Sequence, residues 1–323
     1  SRAAAPYASG CVPVRPAPAS SLPWAAYLSA SGGGGAAYND SNAPGYNHTL
    51  GLFALGVERA LHARLVFGAR VGYHKTAAKL RADSGRVDAS GWHALAYAGW
   101  QFPQGTRFHA VLRHASYDYD TRRHILSPAV MAPDRAAALG SYYDYTAAGS
   151  TSGSSTAAAL SLSHDWKFGA LRDWKTGPIA LLAAESVTVD AFSETGTDNG
   201  PQAAMRVGRQ IPESLRTRLG WRLGWEASDL LDNSAWFLDL RLAWQREHRD
   251  TARPVTGSFT NPEYEIAGPV RVLGNKQPRD TLVAGLGVQY RHSRRLRAAL
   301  AYDLETGAHD TTHTATLSAT LRW

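Results

Sequence analysis

The stretch Thr314-Ala315-Thr316-Leu317-Ser318-Ala319-Thr320-Leu321-Arg322-Trp323 decides the fold class. Apolar side chains stand at 315, 317, 319, 321 and 323, and polar ones at the even positions between them. Period two over this length predicts a strand with one oily face and one polar face. Finishing the oily face with an aromatic residue suits a face turned to lipid, because Trp favours the membrane interface.

The strands upstream repeat the pattern. Leu215, Leu219, Trp221, Leu223 and Trp225 oppose Arg216, Arg218, Gly220, Arg222 and Gly224. Trp236, Leu238, Leu240, Leu242 and Trp244 oppose Asp239, Arg241, Ala243 and Gln245. Leu296, Ala298, Leu300, Tyr302 and Leu304 oppose Arg297, Ala299, Ala301 and Asp303. Near the start, Phe67, Ala69, Val71 and Tyr73 oppose Gly68, Arg70, Gly72 and His74. Arginine at this density is costly in a dry soluble core, where each guanidinium needs a partner. A water-filled lumen tolerates it. The expectation is an all-β fold: a transmembrane antiparallel β-barrel of the outer-membrane type.

Composition permits this reading without requiring it. Hydrophobic residues make up 44% of the 323-residue chain. No run approaches the ~18–20 apolar residues of a spanning helix. A barrel escapes that test because its two faces average out. A single Cys excludes an internal disulfide framework and a cysteine-based metal cluster. Net charge is +7, and no nucleic-acid motif accompanies it, so the charge is read as a basic lumen and no nucleic-acid partner is expected. Residues 1–22 are rich in Pro, Ala and Ser, and read as a linker or pore-entering remnant before a barrel at 23–323. No secretory signal is visible at the start, which suggests a mature form or a fragment. Ala8-Ser9-Gly10-Cys11 lacks the apolar run that would precede a lipoprotein cleavage site.

Strands are expected at about 24–31, 47–59, 63–75, 88–102, 106–119, 154–167, 176–192, 212–226, 234–249, 280–291, 295–306 and 311–323. Their connections alternate between long and short, as in outer-membrane barrels with short periplasmic turns. Ala203–Gln210 also looks strand-like. Counted as a spanning strand it would break the alternation, so it is assigned to the external loop, as an extension of the strand at 212–226. The count is then about 12. Glu185 falls on a face that reads as apolar, which predicts a bulge or register change.

Six stretches recur in a fixed order: Trp24-Ala25-Ala26-Tyr27-Leu28, Gly51-Leu52-Phe53-Ala54-Leu55-Gly56-Val57-Glu58 and Phe67-Gly68-Ala69-Arg70-Val71-Gly72-Tyr73 come first. Gly177-Pro178 leading to Val187-Thr188-Val189-Asp190-Ala191-Phe192-Ser193-Glu194, Ser214-Leu215-Arg216-Thr217-Arg218-Leu219-Gly220-Trp221 and the Leu-Arg-Trp end follow. By these, the chain between Trp24 and Trp323 resembles the translocator domain of type Va autotransporters. The stretches 176–192 and 212–226 look most like the branch with lipase/esterase-type members.

The resemblance implies a monomeric barrel in the outer membrane of a Gram-negative bacterium. It implies anchoring and export of an N-terminal passenger, with no cofactor or metal. Outer-membrane lipids, the chain's own passenger and linker, periplasmic chaperones and the barrel-assembly machinery are the implied partners. The linker would contact Arg70, Arg216, Arg218, Arg222, Asp239, Arg241, Arg297 and Asp303. Leu321 and Trp323 would form the assembly signal. Residues 1–22 are too short and Pro-rich for a complete pore-spanning helix, which points to a truncated piece or a cleavage remnant.

Two other readings compete. One is a hydrolytic site on external loops around Asp118, Asp120, His124 or His313; the other is a stand-alone pore. The pair in His309-Asp310-Thr311-Thr312-His313 lies in a loop-to-strand context rather than on a helix, which disfavours metal binding. Gly149-Ser150-Thr151-Ser152-Gly153 does not fit a nucleophile elbow and reads as a flexible loop. Any activity is therefore expected in a passenger absent from this chain.

Overall fold

The computed structural model describes residues 24–40, 43–62, 64–127, 143–167, 173–196, 204–228, 234–260 and 268–323. The expected linker at 1–22, with Cys11, lies outside them.

Twelve antiparallel strands close into a ring. They are β1 (Trp24–Ala37), β2 (Tyr46–His62), β3 (Leu65–Leu80), β4 (Gly85–Gln101), β5 (Thr106–Ser127) and β6 (Tyr143–His164). The second half comprises β7 (Trp174–Val189), β8 (Glu213–Ser228), β9 (Ala235–Glu247), β10 (Asp280–Arg291), β11 (Leu296–Gly307) and β12 (Asp310–Arg322). Each pairs with its neighbours in sequence, and β1 pairs with β12 from Ala25↔Arg322 to Ala37↔Asp310. That last ladder removes both sheet edges, the condition for backbone polar groups to survive in hydrocarbon. Among the described residues no helix is long and apolar enough to cross a membrane.

The packing is inside-out. Phe53, Leu55, Val71, Trp92, Leu112, Leu219, Leu242, Leu300 and Leu317 are all exposed on the outer surface. Ala54, Ala115, Ser155, His93, Arg113, Thr316 and Asp303 are among the buried residues. A soluble protein exposing this much contiguous apolar area would aggregate; a barrel presents it to lipid. Trp24, Trp100, Phe102, Trp166, Trp236 and Trp323 are exposed at the short-turn end, where an aromatic girdle belongs.

The external half corrects several expectations. Thr76–Arg86 is largely strand, closed by a single 3₁₀ turn at Arg81–Asp83. Gly149–Gly153 is no loop: it lies in β6, paired with Tyr117–Thr121 of β5. The interior of the Asp120–Gly153 connection, residues 128–142, lies outside the described residues. These extensions carry Ser, Thr, Gly and charged residues on both faces. Standing clear of lipid, they need only backbone pairing, so no hydrophobic period marks them.

Met205–Val207 does not extend β8. It joins Phe192–Ser193, Pro254–Phe259 and Val270–Leu273 in a separate four-stranded sheet made by the β7–β8 and β9–β10 connections. Glu185 causes no bulge: both ladders of β7 run unbroken past it, at Ala157↔Glu185 and Ser214↔Glu185. The inward face of β7 is itself apolar there, with Ile179 and Leu181 lining the lumen. The register shift lies instead in the β2–β3 ladder, between Ala60 and His62.

Candidate functional site: the charged lumen

Alternation on β8, β9 and β11 sends Arg216, Arg218, Arg222, Asp239, Arg241, Arg297 and Asp303 inward, as their sequence positions predict. Four of them join a continuous ladder. Arg107 at the base of β5 pairs with Asp165 in the β6–β7 connection. The Asp165 carboxylate lies 3.4 Å from Arg222. Arg222 Nη2 donates to Asp239 Oδ1 at 2.7 Å. The other Asp239 oxygen lies 3.2 Å from Arg241 Nε. Arg241 Nη2 then donates to Asp303 Oδ1 at 3.2 Å.

The last step crosses β10, and Gly285 permits it. Gly285 stands in register with both Arg241 and Asp303. A Cβ there would sit 2.7 Å from Asp303 Oδ1 and 2.9 Å from Arg241 Nε. The missing side chain is the gap through which the guanidinium reaches its carboxylate.

Higher in the lumen, Arg218 donates to Gln245 Oε1 at 2.7 Å and to Glu305 Oε1 at 2.9 Å. Arg216 donates to Glu247 at 3.1 Å. Glu247 also accepts from the Ser214 hydroxyl and the backbone N–H of Leu215. On the neighbouring strands, over Ala157 of β6, Arg113 of β5 meets Glu185 of β7 at 2.5 Å. Such charge-assisted bonds tolerate a wet, partly desolvated site because nearly every charge has its counterpart.

Arg70 stands apart on the opposite wall, its buried Nε without a hydrogen-bond partner. Beside it Leu95 on β4 and Val111 on β5 also line the lumen, while Ile179 and Leu181 line it from β7, next to β8. Between the two walls lies an internal cavity of about 290 Å³. The lumen is therefore two-sided: the Asp239–Arg241–Asp303 stretch of the ladder, on β9 and β11, faces Leu95 on β4 and Val111 on β5 across the ring.

Sequence reasoning missed several members. Arg107, Arg113 and Glu305 sit at inward alternating positions and were legible by period. Asp165 sits in a turn, where no period operates. Glu58 and Tyr97 form a second cluster: Tyr97 Oη donates to Glu58 at 3.0 Å. The Tyr97 ring also covers Gly68, where any Cβ would strike it. Filling a glycine gap with a neighbouring aromatic ring restores packing on the strand.

The competing catalytic residues do not converge. Asp118 and Asp120 are exposed on the outward face of β5. His124 contacts the Asp83 carbonyl. His313 lies on β12 with Tyr302, Oη to Nδ1 at 2.6 Å. Among the described residues no group of three or more His, Cys, Asp or Glu could hold a metal ion.

A family model described as the autotransporter beta-domain matches residues 26–303. The chain belongs to this family. The autotransporter domain is an outer-membrane translocator that exports a passenger, and it is a transport barrel rather than a catalyst. Among solved structures, the translocator domain of autotransporter NalP from Neisseria meningitidis is similar. Its TM-score is 0.68 at 12% identity, covering 94% of this chain and 90% of that one. The beta domain of the Bordetella autotransporter BrkA gives 0.66 at 17% identity, covering 93% and 100%. The transport unit of AIDA-I from Escherichia coli gives 0.52 at 9% identity, covering 98% and 95%. At these identities the likeness establishes the fold. No curated protein matches the chain by sequence. The expected Gram-negative outer-membrane location stands.

Proposed function

We propose that the segment preceding Trp24 threads this lumen during export, and that the two-sided wall is its track. The carrying observation is the opposition of the Asp239–Arg241–Asp303 stretch of the ladder, on β9 and β11, to the apolar Leu95 on β4 and Val111 on β5. An amphipathic segment satisfies both walls at once, with polar groups on the ladder and apolar ones opposite. Residues 1–22 are the barrel-proximal end of that segment, and 23–323 form the barrel. Arg216, Arg218 and Arg297 extend the polar track, and Arg70 offers a guanidinium to a linker carboxylate.

The chain acts as a monomer, since its own strands close the ring. Any enzymatic activity belongs to the passenger. Periplasmic chaperones deliver the chain, and the barrel-assembly machinery reads the strand ending in Leu321 and Trp323.

The test uses an epitope-tagged passenger fused ahead of Ser1. Single cysteines at Leu95 on β4 and Arg241 on β9, on facing sides of the ring, are paired with cysteines placed through the upstream segment. Crosslinks from both walls to opposite faces of one segment during export are expected. Crosslinks absent from both walls while the tag still reaches the surface would overturn the track.

A further inference from the structure

At the periplasmic rim, four neighbouring strand ends bring two arginines and two tryptophans into one row. Trp24 of β1 is in register with Arg59 of β2. Across the seam, Trp24 and Trp323 exchange backbone hydrogen bonds of 3.3 and 3.0 Å. On the far side the Arg322 N–H donates to the Arg295 carbonyl, which sets Arg294 next in line to Trp323. The row runs Arg59, Trp24, Trp323, Arg294. It spans about 15 Å at the ~4.8 Å spacing of strands.

Three properties distinguish this rim. First, it is uncompensated. Arg59, Arg64, Arg294 and Arg295 are exposed, and none makes an ion pair among the described residues. The β2–β3 and β10–β11 turns contain no carboxylate. The nearest side-chain carboxylate, Glu58, points inward and is engaged by Arg322 and Tyr97. Second, the other short turns differ in charge: 102–105 carries none, 165–173 balances Lys167 and Arg172 with Asp165 and Asp173, and 229–233 holds only Asp229 and Asp232. Third, its depth is fixed. One strand step inward, Val57, Ala26, Leu321 and Leu296 form the next outward row. Val57, Leu321 and Leu296 are 48%, 52% and 42% exposed. The arginines therefore stand about 7 Å from the edge of the lipid-facing band, with Arg59 lying over the Trp24 ring at 5.1 Å.

We infer that this rim is a binding site for the phosphates of anionic phospholipids in the periplasmic leaflet, spanning the β1–β12 seam. Guanidinium groups donate to phosphate oxygens in pairs, and Trp at the same depth holds the acyl–headgroup boundary. The depth favours lipid over an acidic protein. A protein site would lie on the turn tips and would leave Arg59, flat against Trp24 on the outer wall, out of reach.

The experiment uses the folded chain in neutral detergent, titrated with dioleoylphosphatidylglycerol or dioleoylphosphatidylcholine. Bound lipid is counted by native mass spectrometry. The wild type should retain phosphatidylglycerol preferentially, with affinity falling as salt rises. R59Q and R294Q should each weaken retention about fivefold, and the change of all four arginines should abolish the preference. These side chains make no ion pair, so the variants should fold, and heat-modifiable gel migration checks this. Equal retention of the two lipids by the wild type would overturn the site. So would a folded quadruple variant with its preference intact. Capture of an acidic periplasmic protein without any lipid preference would also overturn it.

Discussion

Glu58 of β2 and Arg322 of β12 lie 3.5 Å apart across β1, over the small side chain of Ala25. Both side chains are under 10% exposed. The pair ties the two neighbours of the first strand together, so it reinforces ring closure beyond the backbone ladder. E58Q leaves Arg322 buried without its anion, and weakens the Tyr97 hydrogen bond as well. Its expected cost is about 3 kcal/mol, read from urea unfolding of the folded barrel. E58Q combined with R322M should cost less than E58Q alone, because the orphaned charge is gone. A double variant no better than the single one would deny that closure depends on this pair.

Gly285 gives a second prediction. G285A puts a methyl where Arg241 and Asp303 now meet, and backbone on both sides prevents the strand from yielding. The contact should break at a cost of about 1–3 kcal/mol. Arg241 would then keep Asp239 alone, and the ladder would be cut between β9 and β11. Combining G285A with D303N should add little to G285A, since both remove the same contact. Full additivity in unfolding measurements would show that the glycine serves the backbone and not the ladder.

The fold was legible wherever lipid imposes alternation. β8 to β12 read directly, because each outward position must be apolar and each inward one need not be. Legibility failed above the membrane. Gly149–Gly153 pairs as strand without any hydrophobic signal, and Met205–Val207 pairs with Phe259 and its neighbours, a contact far away in sequence. The lumen was half-legible for a related reason. Period two gives direction but not partners: it turned Arg222 and Asp239 inward, while Asp165, which links them to Arg107, sits in a turn. Glu185 shows the limit from the other side. Its face is apolar and inward, a combination the rule of polar lumens does not anticipate.

The external end of the seam has its own fastening. Asn275 Nδ2 donates to the Tyr38 carbonyl at 2.9 Å, and the Lys276 N–H donates to Asp40. The β9–β10 connection thus reaches over the β11–β12 hairpin to the β1–β2 loop. Beneath it, β1 carries Gly32–Gly35, a run that weakens a strand interior. N275A with D40A should raise amide hydrogen exchange in 33–37 and 310–314 at least tenfold. Exchange in β8 and β9 should not change. Uniform acceleration across the barrel would mean the connection stabilises the whole ring rather than this corner.

Trp323 separates an assembly role from a structural one. Its backbone is bonded to Trp24 on both sides, and those bonds survive W323A. Its side chain is 51% exposed on the outer wall, so truncation removes only part of an interfacial anchor. The folded barrel should lose about 1 kcal/mol or less in unfolding measurements in detergent. If the residue is also the signal for membrane insertion, W323A expressed in cells should reach the outer membrane several-fold less than wild type. That loss would be out of proportion to the stability change. L321A, one strand step inward and 52% exposed, controls for lost apolar area. Equal insertion of wild type and W323A would reduce Trp323 to an anchor, and an equal deficit in both variants would assign the effect to lipid contact rather than recognition.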